Sequence, residues 1–191
     1  MAGAARYTSI LEANVLYPAL LRDILLTLAH ADIYNARWTL TIERELTGAL
    51  RKSFPDKGSE IAQIAQKMRE AIPDCLVTGY ESLIHSIELP DPDDRHVLAA
   101  AVVGHADAIV TLNTKDFPAQ ECSKFGIEIQ SADAFLVNQI TLNKIQALTA
   151  LRRMRERWQN PNLTGAQLLD LLSKRGLGMT AAALADAVDL L

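Results

Sequence analysis

The chain has 191 residues, 49% of them hydrophobic, and a formal net charge of -4. That length buries a full core in one domain with room for a small appendage, and the negative balance excludes a protein that coats duplex nucleic acid through bulk positive charge. No run reaches the roughly 18 uninterrupted apolar residues of a membrane span, and the opening MAGAARYTSILEANV lacks the basic end, apolar middle and small-residue cleavage site of a leader, so a cytoplasmic protein is expected.

In chain order, Tyr7 to Leu11 reads as a buried strand, followed by a helix start at Pro18. From Ala19 to Ala29 the apolar residues Leu20, Leu21, Ile24, Leu25 and Leu28 fall at helical spacing and complete a first βα unit. Thr39 or Thr41 can cap a helix through Ile42, Leu46 and Leu50, and Ser59 can open another through Ile61, Ile64 and Met68, closed by Pro73. Cys75 to Val77 predicts a second strand, a helix begins near Asp93, and Ala108 to Leu112 predicts a third strand. Gly126 to Gln130 is a fourth candidate, and Asp133 to Ile140 returns to helical spacing. Strands alternating with helices predict a parallel sheet covered on both faces.

After Leu142 only helical patterns remain: Lys144 to Trp158, Thr164 to Lys174 and Thr180 to Leu191, with Thr164 and Thr180 as N-cap candidates. The expected organisation is an α/β unit over 1–142 and a helical extension over 143–191. Arg152, Arg153, Arg155 and Arg157 are the densest basic cluster and are expected on a solvated helix face. Cys75 and Cys122 stand far apart without zinc spacing, and are expected as reduced thiols filling structure.

Chemistry is concentrated in acids. Glu12 follows the first strand, Asn113 and Asp116 follow the third, and Glu45 and Asp94 belong to helices flanking that rim. Carboxylates gathered at one sheet edge repel one another, by roughly 1 kcal/mol at about 4 Å in water and several times that when desolvated, unless a cation joins them. Oxygen ligands at strand ends suit Mg²⁺ or Mn²⁺. Asp94 has a second explanation, since any acid is favoured in the first turn of a helix, with Asp91 and Asp93 as part of that cap. Asn14 and Thr111 are placed to orient carboxylates, or simply to form turns. His85, His96 and His105 lack HxxxH or HxxE spacing, and GxGxxG, P-loop and GxSxG motifs are absent.

Four strings in fixed order, ILEANVLYPALLRDILL, TIEREL, DPDDRHVLAAAV and ADAIVTLNTKDFP, resemble a PIN domain, and more narrowly the VapC-type toxins of bacterial toxin–antitoxin pairs. The likeness covers roughly the first 140 residues, and the helical tail resembles the extension of one subgroup. It implies a Rossmann-like α/β/α sandwich with a parallel sheet of about four to five strands. It implies a Mg²⁺- or Mn²⁺-dependent ribonuclease acting on single-stranded or looped RNA, forming a homodimer, with no membrane association and silenced by a cognate antitoxin.

Carried over, the family's helix glutamate falls on Glu45 in preference to Glu43, its central aspartate on Asp94, and its last polar group on Asn113 with Asp116. The implied catalytic acids are Glu12, Glu45, Asp94 and Asp116, and the implied metal ligands Glu12, Asp94, Asn113 and Asp116. Glu43 is then a solvated charge. The chain departs from the family at Glu12, where PIN domains carry aspartate; the extra methylene lengthens a ligand of an ion that tolerates little variation in distance. A scaffold with impaired chemistry that binds RNA or an antitoxin is therefore the first alternative, and a small phosphohydrolase the second, although the DxD setting of the latter is missing. Arg22, Arg44, Arg95, Lys115 and Lys124 lie near the acids in sequence and are candidates for RNA phosphates.

Overall fold

The computed structural model describes residues 6–191. Residues 1–5, on which part of the reading of the chain's opening rests, lie outside that range. Thr8–Leu11 (β1) is followed by a one-turn helix, Ala13–Leu16 (α1), and by Ala19–His30 (α2). Asn35–Arg37 (β2) leads into Leu40–Ser53 (α3) and Gly58–Ala71 (α4). Arg95–Val103 (α5), Ala108–Thr111 (β3), Ala119–Ser123 (α6), Glu128–Ser131 (β4) and Ala132–Leu142 (α7) complete the α/β part. Lys144–Arg157 (α8), Gly165–Lys174 (α9) and Gly178–Leu184 (α10) form the tail, which ends in a 3-10 segment, Ala185–Leu190.

The four strands pair in parallel in the order β2-β1-β3-β4. All residues of β1 and β3 are buried, and since successive side chains of a strand point to opposite faces, both faces of the sheet are covered. Helix α5 packs on β1 and β3, α7 on β3 and β4, and α2 on β2, giving the expected α/β/α sandwich. The chain runs outward from β1 to β2 and then returns past β1 to β3. The crevice at the C-terminal ends of β1 and β3 is therefore the topological switch point, where an open parallel sheet accepts ligands.

The tail shares this core. Ala147, Leu148, Leu151 and Met154 of α8 are buried, as are Leu168, Leu172, Leu177, Ala181 and Leu184, in one cluster with Ile10, Leu25 and Phe135. Helix α8 packs on α2, and α10 on α7. Most of the apolar stripe of the tail is thus spent on the chain's own helices, while Ile145, Met179 and Leu190 stay exposed. Among the described residues no helix is long and apolar enough to cross a membrane.

Several expectations are corrected. Cys75 to Val77 is not a strand but a single bridge, in which Trp38 N–H donates to the Cys75 carbonyl (2.9 Å) and Val77 N–H to the Trp38 carbonyl (2.9 Å). Pro73 before it and Gly79, at φ +77°, after it leave no length for a ladder. The outer strand is instead Asn35–Arg37, whose NAR sequence carries no β-branched signal and is extended by its pairing with β1. Thr39, not Thr41, caps α3, accepting from Ile42 N–H (3.1 Å).

Thr164 forms a capping box with Gln167, but Thr180 caps nothing: it is buried inside α10. Its backbone N–H (2.8 Å) and hydroxyl (2.6 Å) both donate to the Asp133 carboxylate. The arginine cluster is only partly solvated. Arg155 donates to the Leu163 carbonyl, and Arg157 ties α8 to Asp23 of α2 at 2.9 Å. Cys75 and Cys122 are free and buried, and burial pushes the thiol of Cys122 up to about 11, which leaves it inert.

Candidate active site

Glu12 is the first residue beyond β1, and its N–H donates to the Val110 carbonyl of β3 (3.2 Å), carrying the pairing of the two strands to the rim. Asn14 then joins both strand ends. Its Nδ2 donates to Glu12 Oε2 (2.8 Å) and to Thr111 Oγ1 (3.1 Å), while its Oδ1 accepts from Leu112 N–H (3.0 Å). Thr111 is buried and accepts from Asn113 N–H (2.8 Å). Asn14 and Thr111 therefore do more than form turns: together they fix where the Glu12 carboxylate and the start of the Asn113 loop stand.

Asp94 ends the 3-10 turn Pro92–Asp94 that enters α5. The capping is done by Asp91, whose carboxylate accepts from Asp93 N–H (2.9 Å), and the Asp94 side chain makes no cap bond. Asp116 closes the turn Thr114–Asp116, and its carboxylate accepts from the Asn113 carboxamide. Glu45, on α3, is exposed, and its Oε1 lies 2.8 Å from His96 Nε2. His96 is buried, and its Nδ1 has no partner among the described residues. Spacing along the sequence gave no sign of this contact, which the crossing of α3 and α5 creates.

Glu43 is corrected. It is buried rather than solvated, pairs with Arg69, and accepts from Trp38 Nε1 (2.9 Å). Its neighbour two residues on points to a different face, which separates Glu43 as a structural ion pair from Glu45 at the rim.

The electrostatics of the rim are those of an uncompensated acidic cluster. Burial pushes the Glu12 carboxyl up to about 7, with the charges of Asp94 and Glu45 adding to the rise and the bonds of Thr111 and Asn14 opposing it. Burial likewise pushes Asp94 up to about 6, helped by Asp116, Asp91 and Glu45 and opposed by His96. Among the described residues neither Glu12, Asp94 nor Asp116 forms an ion pair with lysine or arginine.

The donor set of Glu12, Asp94, Asp116 and Asn113 consists of hard oxygens that lack a counter-charge, which fits a small divalent cation. The set is not drawn into a closed cage: among the described residues no group of three or more His, Cys, Asp or Glu side chains stands ready to hold a metal ion. Mg²⁺ keeps several of its waters and binds through one or two carboxylates, so an open rim is compatible with it.

Of the basic candidates, Arg22 is committed to its own backbone neighbourhood rather than to the rim. Its guanidinium donates to the Leu16 (2.6 Å) and Tyr17 (3.3 Å) carbonyls. Lys124 pairs with Glu121 at 2.5 Å. Arg44 is exposed and donates to Thr41 Oγ1 (2.9 Å). Lys115 is exposed beside Asp116, and Arg95 is half-buried with its Nε unpartnered among the described residues.

The four-stranded parallel sheet, with Glu12 just beyond β1 and the charges of Asp94 and Glu45 acting on it at the switch point, suits a PIN domain. Residues 8–115 match the PIN domain family and residues 132–186 the VapC50 C-terminal domain, and the chain belongs to the PIN-domain family, as a VapC-type member. It is 30% identical over 125 residues to the protein named "Putative ribonuclease VapC50" of Mycobacterium tuberculosis (strain ATCC 25618 / H37Rv), a match covering 65% of this chain and 73% of that protein. No solved structure matches the chain.

Proposed function

We propose that this protein is a divalent-metal-dependent ribonuclease of the VapC toxin type, hydrolysing phosphodiester bonds of single-stranded or looped RNA in the cytoplasm. The observation that carries the reading is the pair Glu12 and Asp94, both raised by burial and by neighbouring acids and left without an ion-paired lysine or arginine among the described residues at the β1/β3 switch point. Glu12, Asp94 and Asp116 would hold Mg²⁺ or Mn²⁺, with Asn113 as a neutral oxygen donor. Bound there, such an ion would supply a water of lowered pKa and relief of charge on the phosphate.

The protein's own part is placement. Asn14 fixes Glu12, His96 fixes Glu45, and Asn113 holds Asp116 through its amide. Arg44, Arg95 and Lys115 are left to meet phosphates. An antitoxin that covers the rim with a cationic side chain would neutralise the same carboxylates and so silence the enzyme, and a homodimer is the expected assembly.

The test is cleavage of a structured RNA pool with Mg²⁺ or Mn²⁺ by the native chain, Glu12→Asp and Asp94→Asn, with an EDTA control. Cleavage by the native chain that EDTA and Asp94→Asn abolish is expected. An Asp94→Asn protein that keeps its turnover and metal dependence would overturn the assignment. Cleavage by Glu12→Asp alone would make Glu12 the inactivating change and the native chain a binding scaffold.

A further inference from the structure

Beside the acidic rim a cleft of about 760 Å³ opens between the strand ends and the C-terminal helices, lined among others by Pro18, Leu20, Leu112, Trp158, Arg175 and Met179. We propose that it takes an unpaired nucleobase of the RNA strand whose phosphodiester lies at that rim, so that the C-terminal helices select the substrate. The inference rests on the ribonuclease reading and extends it to specificity.

Position is the first argument. Leu112 lines the cleft and stands between Thr111 and Asn113, and Ser131, another lining residue, pairs with Thr111 across β3 and β4. Cleft and rim thus adjoin at the C-terminal ends of neighbouring strands, Leu112 lining the one and Asn113 following in the other. The lining is the second. Leu112 and Met179 are large apolar side chains left 55% and 52% exposed, and Trp158 adds an indole whose Nε1–H is already committed to Asp23 Oδ2 at 2.8 Å, leaving its ring for contact. Such surfaces suit the flat, weakly polar face of a base.

Charge is the third. The Arg175 guanidinium has no ion pair or hydrogen bond among the described residues and stands at the cleft, where a phosphate next to an inserted base would meet it. The walls are fixed in place: the Asp133 carboxylate accepts from Met179 N–H (2.9 Å) and Thr180 N–H (2.8 Å), locking α10 to α7. The volume lies in the range of small-ligand sites.

The test uses pentaribonucleotides carrying 2-aminopurine at successive positions, titrated with the full chain in EDTA so that binding is read without turnover. Fluorescence quenching at one position is expected. Met179→Glu and Arg175→Glu, both at exposed residues, should each weaken binding by about tenfold, Arg175→Lys should retain most of it, and in metal both acidic variants should cleave RNA at altered sites. Native-like binding and cleavage pattern in both acidic variants would remove the cleft from the substrate path while leaving the ribonuclease standing. Loss of antitoxin rather than RNA binding in those variants would make the cleft a peptide site and overturn the proposal. A native chain that neither binds nor cleaves RNA would sink both readings.

Discussion

His96 meets Glu45 between two helices that are distant in sequence, its Nε2 lying 2.8 Å from Oε1, while its own ring is buried. An exposed carboxylate on a helix is otherwise free among rotamers; here one ring nitrogen holds it toward the rim. His96→Ala is expected to lower kcat for RNA cleavage by about tenfold with little change in KM, the usual range for a group that orients another. His96→Gln, which can still donate, should recover part of the loss. Equal losses in both variants, tracked by equal losses in melting temperature, would reduce His96 to a core residue.

The acids of the rim also fix a pH dependence with a definite sign. Glu12 rises from 4.5 to about 7 and Asp94 from 3.8 to about 6 on folding. Between those limits the folded, metal-free protein holds protons that the unfolded chain has released, so these groups make stability fall as pH rises toward about 7, with no further loss from them above it. Glu12→Gln removes its own share of this penalty and the charge that Asp94 faces from it. It is expected to melt at a higher temperature than the native chain at pH 7.5 in EDTA, and to be inactive in metal. An unchanged melting temperature between pH 5 and 7.5 in the native, metal-free chain would contradict the acidic cluster.

The same rise in pKa makes cation binding compete with protons. Mn²⁺ affinity, measured by calorimetry, should strengthen as pH increases from 5.5 to 7.5, and Asp94→Asn should weaken it at every pH. Affinity that is flat across this range would point to an ion held elsewhere.

What the sequence disclosed and what it hid follow from how far each signal travels along the chain. β1 and β3 announced themselves because TSIL and AIVT are buried on both faces and need no partner to look apolar. β2 did not, because an edge strand of three residues is set by pairing rather than by its own composition. The acids could be ordered along the chain, but the burial of Glu43 depended on Arg69, which the packing of α3 on α4 brings to it, and on Trp38, whose indole folds back from just ahead of α3. His96 was passed over for the same reason: its partner lies on another helix, and no local spacing encodes a crossing. The roles of Asn14 and Thr111 became definite only when one carboxamide was seen to bond both strand ends.

The pair of buried Glu43 and half-buried Arg69 predicts stability rather than catalysis. Arg69→Ala leaves a carboxylate that is nearly inaccessible to water without its counter-charge, a loss of about 2–4 kcal/mol once the partial exposure of Arg69 is allowed for. Urea unfolding should show it. Replacing both partners, as Glu43→Leu with Arg69→Met, should recover much of the loss, because the charge that needed compensation is gone. RNA cleavage by the folded fraction should be unaffected, since neither residue reaches the rim.

Asp133 supplies the last prediction, because it does for α10 what the sequence assigned to Thr180. Its carboxylate accepts the N–H groups of Met179 and Thr180 and the Thr180 hydroxyl at 2.9, 2.8 and 2.6 Å, satisfying donors at a helix start that would otherwise face a largely apolar setting. Asp133→Ala removes the carboxylate acceptor and leaves the buried Thr180 hydroxyl only its long bond to the carbonyl of residue 133 (3.4 Å), at a cost of about 1–3 kcal/mol. The strain falls on one end of the molecule, since Leu168, Leu172 and Leu184 still hold the tail in the shared core. Amide exchange is therefore expected to accelerate in 178–184 while β1 and β3 keep their protection, a local opening rather than a global one. Uniform acceleration across the sheet would mean instead that the tail and the α/β unit unfold as one.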